Sequence, residues 1–182
     1  MADTNDIIII GNGPACFTAA IYAATANYKL IVIETHRIDS DTYNFNGCDK
    51  ICGLENTETC SSYIEKIKEQ TKNFSVKIKN GKIKSFGYKN YLYKIEIGDE
   101  TIYGKSLIID DKEIFDKYIF NKIDCRMIFK KGCDLDGKET DVSKSVFLCG
   151  SADADVEKEA IVLAASGCIA ALECKEFLGL IK

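Results

Sequence analysis

The sequence predicts one α/β domain of the doubly wound, Rossmann-like kind: a parallel sheet with flanking helices and an added antiparallel meander. Three observations carry that expectation. A continuously apolar run from Asp6 to Ile10 stops at the turn Gly11-Asn12-Gly13-Pro14. Small and apolar residues then run from Ala15 to Ala26, and a second apolar run, Leu30 to Glu34, ends in an acid. Strand, glycine turn, helix, strand is a βαβ unit, and an unbroken β-branched run suits a strand covered on both faces.

In a dinucleotide fold the first glycine makes the tight turn, the second lets backbone approach the pyrophosphate, and the third lets helix and strand pack closely. Gly11 and Gly13 match, and Cys16 stands third. Pro14, the only proline, falls in the first helical turn, where its missing N–H costs nothing. Glu34 lies 23 residues beyond Gly11, near the ~20 at which an acid binds the adenosine ribose. The helix N-terminus would hold the phosphates.

Further along, Tyr63, Ile64, Ile67 and Phe74 fall near helical spacing and predict a surface helix from Glu58 to Phe74. From Ser75 to Ile109 apolar and polar residues alternate in short runs broken at Asn80-Gly81, Gly87 and Gly98-Asp99, the pattern of an antiparallel meander. Leu107 to Ile109 and Val146 to Leu148 read as two more buried strands. A last helix, Glu157 to Leu178, carries Ala160, Ala164, Cys168 and Leu172 along one face, small enough to lie close to a sheet.

Composition bounds the function. The 182 residues are 46% hydrophobic and 29% charged, enough for one core. A net charge of −4 is not that of a chain that coats nucleic acid over its whole surface. No apolar run reaches the roughly 18 residues of a membrane span, and the acidic start lacks a secretory pattern. The nine cysteines therefore read as free thiols in a reducing, cytoplasmic setting. With one histidine, His36, and no Cys-x-x-Cys pair, neither a metal site nor dithiol chemistry of familiar spacing is expected. Cys48 and Cys52 come closest.

The segment from Asp6 to Asn27 resembles the opening of the low-molecular-weight thioredoxin reductases, and Val146 to Leu178 is similar to their closing segment. Asn44-Phe45-Asn46-Gly47 resembles the family's Asn-aromatic-Pro-Gly turn. The resemblance implies an FAD domain built from both ends of the chain with an NADPH domain inserted between them. Here that insert and its redox Cys-x-x-Cys are missing, so the expected unit is one module, 1–182, made from 1–110 and 121–182. The family's FAD contacts map onto Gly11, Gly13, Pro14, Glu34 and Asn44.

Other positions depart from it. The family's Gly-Gly-Gln-Leu loop has no counterpart between Glu34 and Asn44, and Asp110-Asp111-Lys112 replaces its Ala-Thr-Gly. Ser151 stands for the aspartate that holds the ribityl chain, and Asp153, Asp155, Glu157 and Glu159 crowd the flavin end of the last helix. These losses lead us to expect no resident cofactor, with FAD as the open alternative, and no thioredoxin reductase activity. The family's pairing through FAD domains implies a homodimer.

Two surfaces offer another job. Lys77, Lys79, Lys82, Lys84 and Lys89 alternate with aromatics that include Tyr91, in a stretch without acids. Such a face could meet phosphate backbones and stack on bases; the plainer reading is a solvated sheet face. Ile114, Phe115 and Phe120 lie near the excision point, where an uncovered apolar patch either folds back on the core or marks a partner site. The expected function is a non-catalytic binding or regulatory factor on a macromolecular partner, a protein or a ribonucleoprotein such as the ribosome. The alternative is a reduced flavoprotein that exchanges electrons with a separate redox protein.

Overall fold

A computed structural model describes residues 3–35, 45–55, 59–120 and 145–180, with only the backbone described at 119, 120 and 180. The central strand is β1 (Thr4–Ile10), parallel to β2 (Leu30–Glu34) on one side and to β6 (Glu100–Ile109) on the other. Beyond β2 lies β3 (Lys77–Asn80), also parallel. β6 changes partners along its length: Glu100 to Gly104 pair antiparallel with β5 (Leu92–Ile97), and Leu107 to Ile109 pair parallel with β7 (Val146–Leu148). β4 (Ile83–Lys89) completes the meander against β5. Gly104, the last β6 residue paired with β5, has no room for a side chain, since a Cβ there would lie 2.5 Å from Ile8 Cγ1.

The unbroken apolar runs have two cores to fill. Ile7, Ile9, Val32 and Ile108 face a helical layer that holds Phe17, Ile64 and Leu163. Their chain neighbours Ile8, Ile10, Ile33, Leu107 and Ile109 face the meander, with Tyr93, Ile95 and Ile97. The period-2 alternation of strand side chains along β1, β2 and the parallel part of β6 thus feeds both sides of the sheet.

In the helical layer, α1 (Pro14–Thr25) starts with Pro14 as expected, and α2 (Cys60–Thr71) buries Tyr63, Ile64 and Ile67 as read. α2 is shorter than expected: Thr59 caps it by accepting the Ser62 N–H, while Glu58 lies outside the described residues. The last helix, α4 (Ala160–Leu180), lies chiefly against α1 rather than the sheet. At their crossing Gly167 has no room for a side chain, because a Cβ would fall 2.0 Å from the Ala15 carbonyl oxygen. Its buried face is Ala160, Leu163, Gly167, Ala170, Ala171, Cys174 and Leu178, not the stripe read from the sequence, and Leu172 is 50% exposed.

Two details of the second half also differ from expectation. Gly87 lies inside β4, and the chain reverses instead at Asn90-Tyr91, both with positive φ, as a two-residue hairpin turn of the primed kind demands. Ile114 and Phe115 do not form an exposed patch. Ile114 ends the short helical turn α3 (Lys112–Ile114) and Phe115 opens its π-helical continuation Phe115–Phe120, and both are buried against the meander. The chain there folds back on the core, as unfilled apolar surface favours.

Candidate dinucleotide site

The three strand ends at Ile10, Ile109 and Leu148 converge on the N-terminus of α1, where Gly13 is the N-cap. A helix start leaves backbone N–H groups without intrahelical partners, and with the helix dipole they attract an anion. Here an anion from the chain itself is present. Asp110 follows β6, and its Oδ2 accepts the Cys16 N–H at 3.0 Å while Oδ1 accepts the Ser151 N–H at 2.8 Å. The Gly13 N–H also points to this carboxylate.

The glycines of the site make room for this carboxylate. A Cβ on Gly13 would lie 2.6 Å from Asp110 Oδ2, and one on Gly150 would lie 1.8 Å from Oδ1. Gly11, with φ +148, passes so close that a Cβ would meet the Asp110 Cβ at 2.9 Å. The small residues that let backbone approach a pyrophosphate in a dinucleotide fold here admit a carboxylate from a neighbouring strand end.

Ser151 takes part twice, because its Oγ–H also donates to the Asp110 carbonyl at 2.9 Å. The Gly150 N–H is held by Ser166 Oγ at 2.9 Å, which ties the turn after β7 to α4. Asp111 accepts the Ile114 N–H at 2.9 Å and the Thr35 hydroxyl at 2.5 Å, so it caps the turn after β6 and holds the end of β2.

Burial pushes the Asp110 carboxyl up to about 7, against the pull of the Ser151, Cys16 and Gly13 N–H groups and with the help of Asp111. The Cys16 and Cys149 thiols beside it are pushed well above the ordinary thiol range, first by burial and then by Asp110. Both stay protonated and serve as packing, not as nucleophiles.

The acid at the position expected to bind ribose is engaged as well. Glu34 is buried, and both its oxygens take the Lys68 ammonium from α2, at 2.7 and 2.8 Å. The same ammonium lies 5.7 Å from the Phe17 ring centroid. Thus Gly11, Gly13, Pro14 and Glu34 are brought together as the sequence predicts, but their ligand contacts are met by Asp110 and Lys68. Asn44 lies outside the described residues. What sequence reading missed is the role of those two partners. The Asp110 substitution was visible as a loss, yet nothing local says that its side chain reaches α1.

A cavity of about 580 Å³ remains beside the carboxylate, lined by Asn12, Phe45, Asp111, Asp153, Lys158 and Leu163 among others. Among the described residues no cluster of side chains could hold a metal ion, and no helix is long and apolar enough to cross a membrane.

The lysine surface lies away from this site. Lys77, Lys82, Lys84 and Lys89 are exposed and Lys79 is half-buried. Lys79 pairs with Glu100, and Lys84 lies 3.5 Å from Asp99. Of the interleaved aromatics, Tyr93 is fully buried and Phe86 and Tyr88 pack against it, which leaves Tyr91, 72% exposed, as the one that could stack on a ligand. The Phe120 side chain is not described.

No protein-family profile matches the chain. Over 105 residues, 58% of this chain and 34% of the relative, it is 28% identical to the thioredoxin reductase of Mycolicibacterium smegmatis. Over 174 residues, 95% of this chain and 49% of the relative, it is 25% identical to that of Aquifex aeolicus strain VF5. The chain thus spans about a third to a half of the length of these curated relatives. The crystal structure of the Streptococcus pyogenes MGAS5005 thioredoxin reductase shares its fold, with a TM-score of 0.70 at 13% identity over 97% of this chain and 99% of that one. The chain is thus similar in sequence to thioredoxin reductases over part of their length and shares the Rossmann-like fold of their FAD domain.

Proposed function

We propose that this chain is a non-catalytic thioredoxin-reductase-like protein that works by binding a macromolecular partner in the cytoplasm, without a resident flavin. The observation that carries this reading is the Asp110 carboxylate on the N–H groups of Cys16 and Ser151. A pyrophosphate there would meet a buried acid instead of free donors, and like charges in a site of low dielectric repel strongly.

Spacing along the chain supports the same reading. Only residues 110 to 145 separate β6 from β7, whereas a domain needs roughly 100, so no NADPH domain fits between them. The sequence also holds no Cys-x-x-Cys to receive electrons. Lys77, Lys82 and Lys89, with Tyr91 at the hairpin tip, support a partner that displays phosphates, a ribonucleoprotein such as the ribosome. Ile161, Ile169 and Leu172 on the outer face of α4, with Tyr22 of α1, are exposed and suit a homodimer.

The triple variant Lys77→Glu, Lys82→Glu, Lys89→Glu tests the partner. Wild-type protein should sediment with ribosome-sized particles in low salt and the variant should not, at an unchanged melting temperature. Wild-type protein that stays at the top of the gradient removes the ribonucleoprotein and leaves a protein partner. The remaining cavity favours one other reading, a flavoprotein that passes electrons to a separate redox protein; it requires the flavin ring to sit there with its pyrophosphate displacing Asp110.

A further inference from the structure

Cys48 and Cys60 are twelve residues apart in sequence, and their Sγ atoms meet at 3.5 Å. Cys48 opens the 3₁₀ turn Cys48–Lys50 behind Gly47, whose left-handed φ of 81° turns the chain inward. Cys60 is the first residue of α2, just after the capping Thr59. Cys48 is buried, Cys60 is half-buried at the edge of the same core, and Cys52 between them is exposed. The Cys48 thiol donates to Cys60 Sγ, and the Cys60 thiol reaches the Phe45 carbonyl at 3.2 Å. Two thiols in contact, one reachable from solvent and the other behind it, are the arrangement that thiol–disulfide exchange requires.

We propose that Cys48 and Cys60 form a redox-active dithiol that closes to an intramolecular disulfide, with a small disulfide of the glutathione class as oxidant. Cys60 gives its proton to solvent and its sulfur attacks one sulfur of the oxidant. The oxidant's S–S bond breaks, a mixed disulfide forms on Cys60, and the first glutathione leaves as a thiolate that takes up a proton. Cys48 then loses its proton and attacks Cys60 Sγ, and the second glutathione leaves in the same way. Two protein thiols are oxidised by two electrons while one glutathione disulfide is reduced to two thiols. The sulfurs must close from 3.5 Å to the ~2.05 Å of a disulfide.

The position gives the bond a consequence. Phe45 lines the cavity beside Asp110, and Asn46 ties this segment to the start of α4 through Asn46 N–H to the Lys158 carbonyl at 2.9 Å and Ala160 N–H to the Asn46 carbonyl at 2.8 Å. Oxidation removes the thiol proton that Phe45 accepts and draws the Cys48 turn onto α2, so the cavity wall changes with redox state. This holds whether or not the cavity takes a flavin.

The test uses the full native chain, equilibrated with graded ratios of reduced and oxidised glutathione, quenched with an alkylating reagent and mapped by mass spectrometry. Oxidising ratios should yield a Cys48–Cys60 linked peptide with Cys16, Cys149 and Cys174 still alkylated after unfolding. Cys52→Ser should leave that link intact, and Cys48→Ala should accumulate glutathione on Cys60. Alkylation of both Cys48 and Cys60 after equilibration in excess oxidised glutathione would overturn the proposal, as would a wild-type link that joins Cys52 to either residue. The wild-type map decides the matter even if Cys48→Ala folds poorly.

Discussion

The glycine turn after β1 and the lysine strands of the meander both look like places to hold phosphate, and the structure treats them in opposite ways. At the turn, described groups that would meet a dinucleotide have partners within the chain: the Cys16 and Ser151 N–H groups in Asp110, and Glu34 in Lys68. On the meander, Lys77, Lys82 and Lys89 point into solvent, and only some neighbours such as Lys79 and Lys84 have acids beside them. The motif with the stronger sequence pattern is therefore the one whose helix N-terminus holds a carboxylate of the same chain. A glycine pattern records how closely something approaches the backbone, and it does not say whether that something is a phosphate or a carboxylate of the same chain.

The largest effect is expected where α1 packs against α4, the crossing that brings the two halves of the site together. Gly167→Val should cost more than about 4 kcal/mol, because the new side chain meets the Ala15 backbone, which has no rotamer to yield. Urea unfolding measures it, and a loss under ~1 kcal/mol would mean that α1 and α4 do not cross as closely as described.

The next effect is set by pH. The unfolded Asp110 has the ordinary value of 3.8 and the folded one about 7. Between those values the folded state keeps a proton that the unfolded state has lost, so this group's contribution to stability falls as pH rises from about 4 to 7 and is level above. The full drop is on the order of 4 kcal/mol. Asp110→Ala should lose that slope, so urea midpoints at pH 5 and pH 8 should differ less in the variant than in the wild type. Equal slopes would place the carboxylate in solvent.

Smaller still is the ribose acid's partner. Lys68→Met leaves Glu34 buried without a counter-charge, which costs about 2 kcal/mol once the partial exposure of Lys68 is taken into account. The restoring change Glu34→Gln should recover part of it. At the bottom of the scale, Lys82→Glu should shift stability by no more than ~0.5 kcal/mol, since its side chain serves a surface and not the fold.

The βαβ unit was legible because its signals are local: an unbroken apolar strand, glycines where the backbone turns, and a proline where a helix tolerates one. The two-sided burial of β1 and β6 also followed from their apolar runs. The turn of the β4–β5 hairpin is not legible in the sequence because Tyr91 reads as a strand residue, although its φ of +61° puts it in the turn. The face of α4 was misjudged for a similar reason: the small residues mark close approach, but Ala160, Leu163 and Gly167 meet a helix whose position the sequence does not encode locally. At the site, Asp110 and Ser151 were both read as separate erosions of a flavin pocket. In the structure the two meet: the Asp110 carboxylate accepts the Ser151 backbone N–H, and the Ser151 hydroxyl donates to the Asp110 carbonyl, where the carboxylate of an aspartate would be repelled. That pairing joins residues 41 apart and is invisible to spacing.

The most direct test of the closed phosphate seat is a flavin and phosphate titration of the purified chain beside Asp110→Ala, at pH 8, where the wild-type carboxylate is charged. The wild-type protein should be colourless, with a melting temperature that does not move with FAD or inorganic pyrophosphate, and both ligands should stabilise the variant. Wild-type protein that carries close to one flavin per chain, or a variant no more responsive than the wild type, would contradict the closed seat.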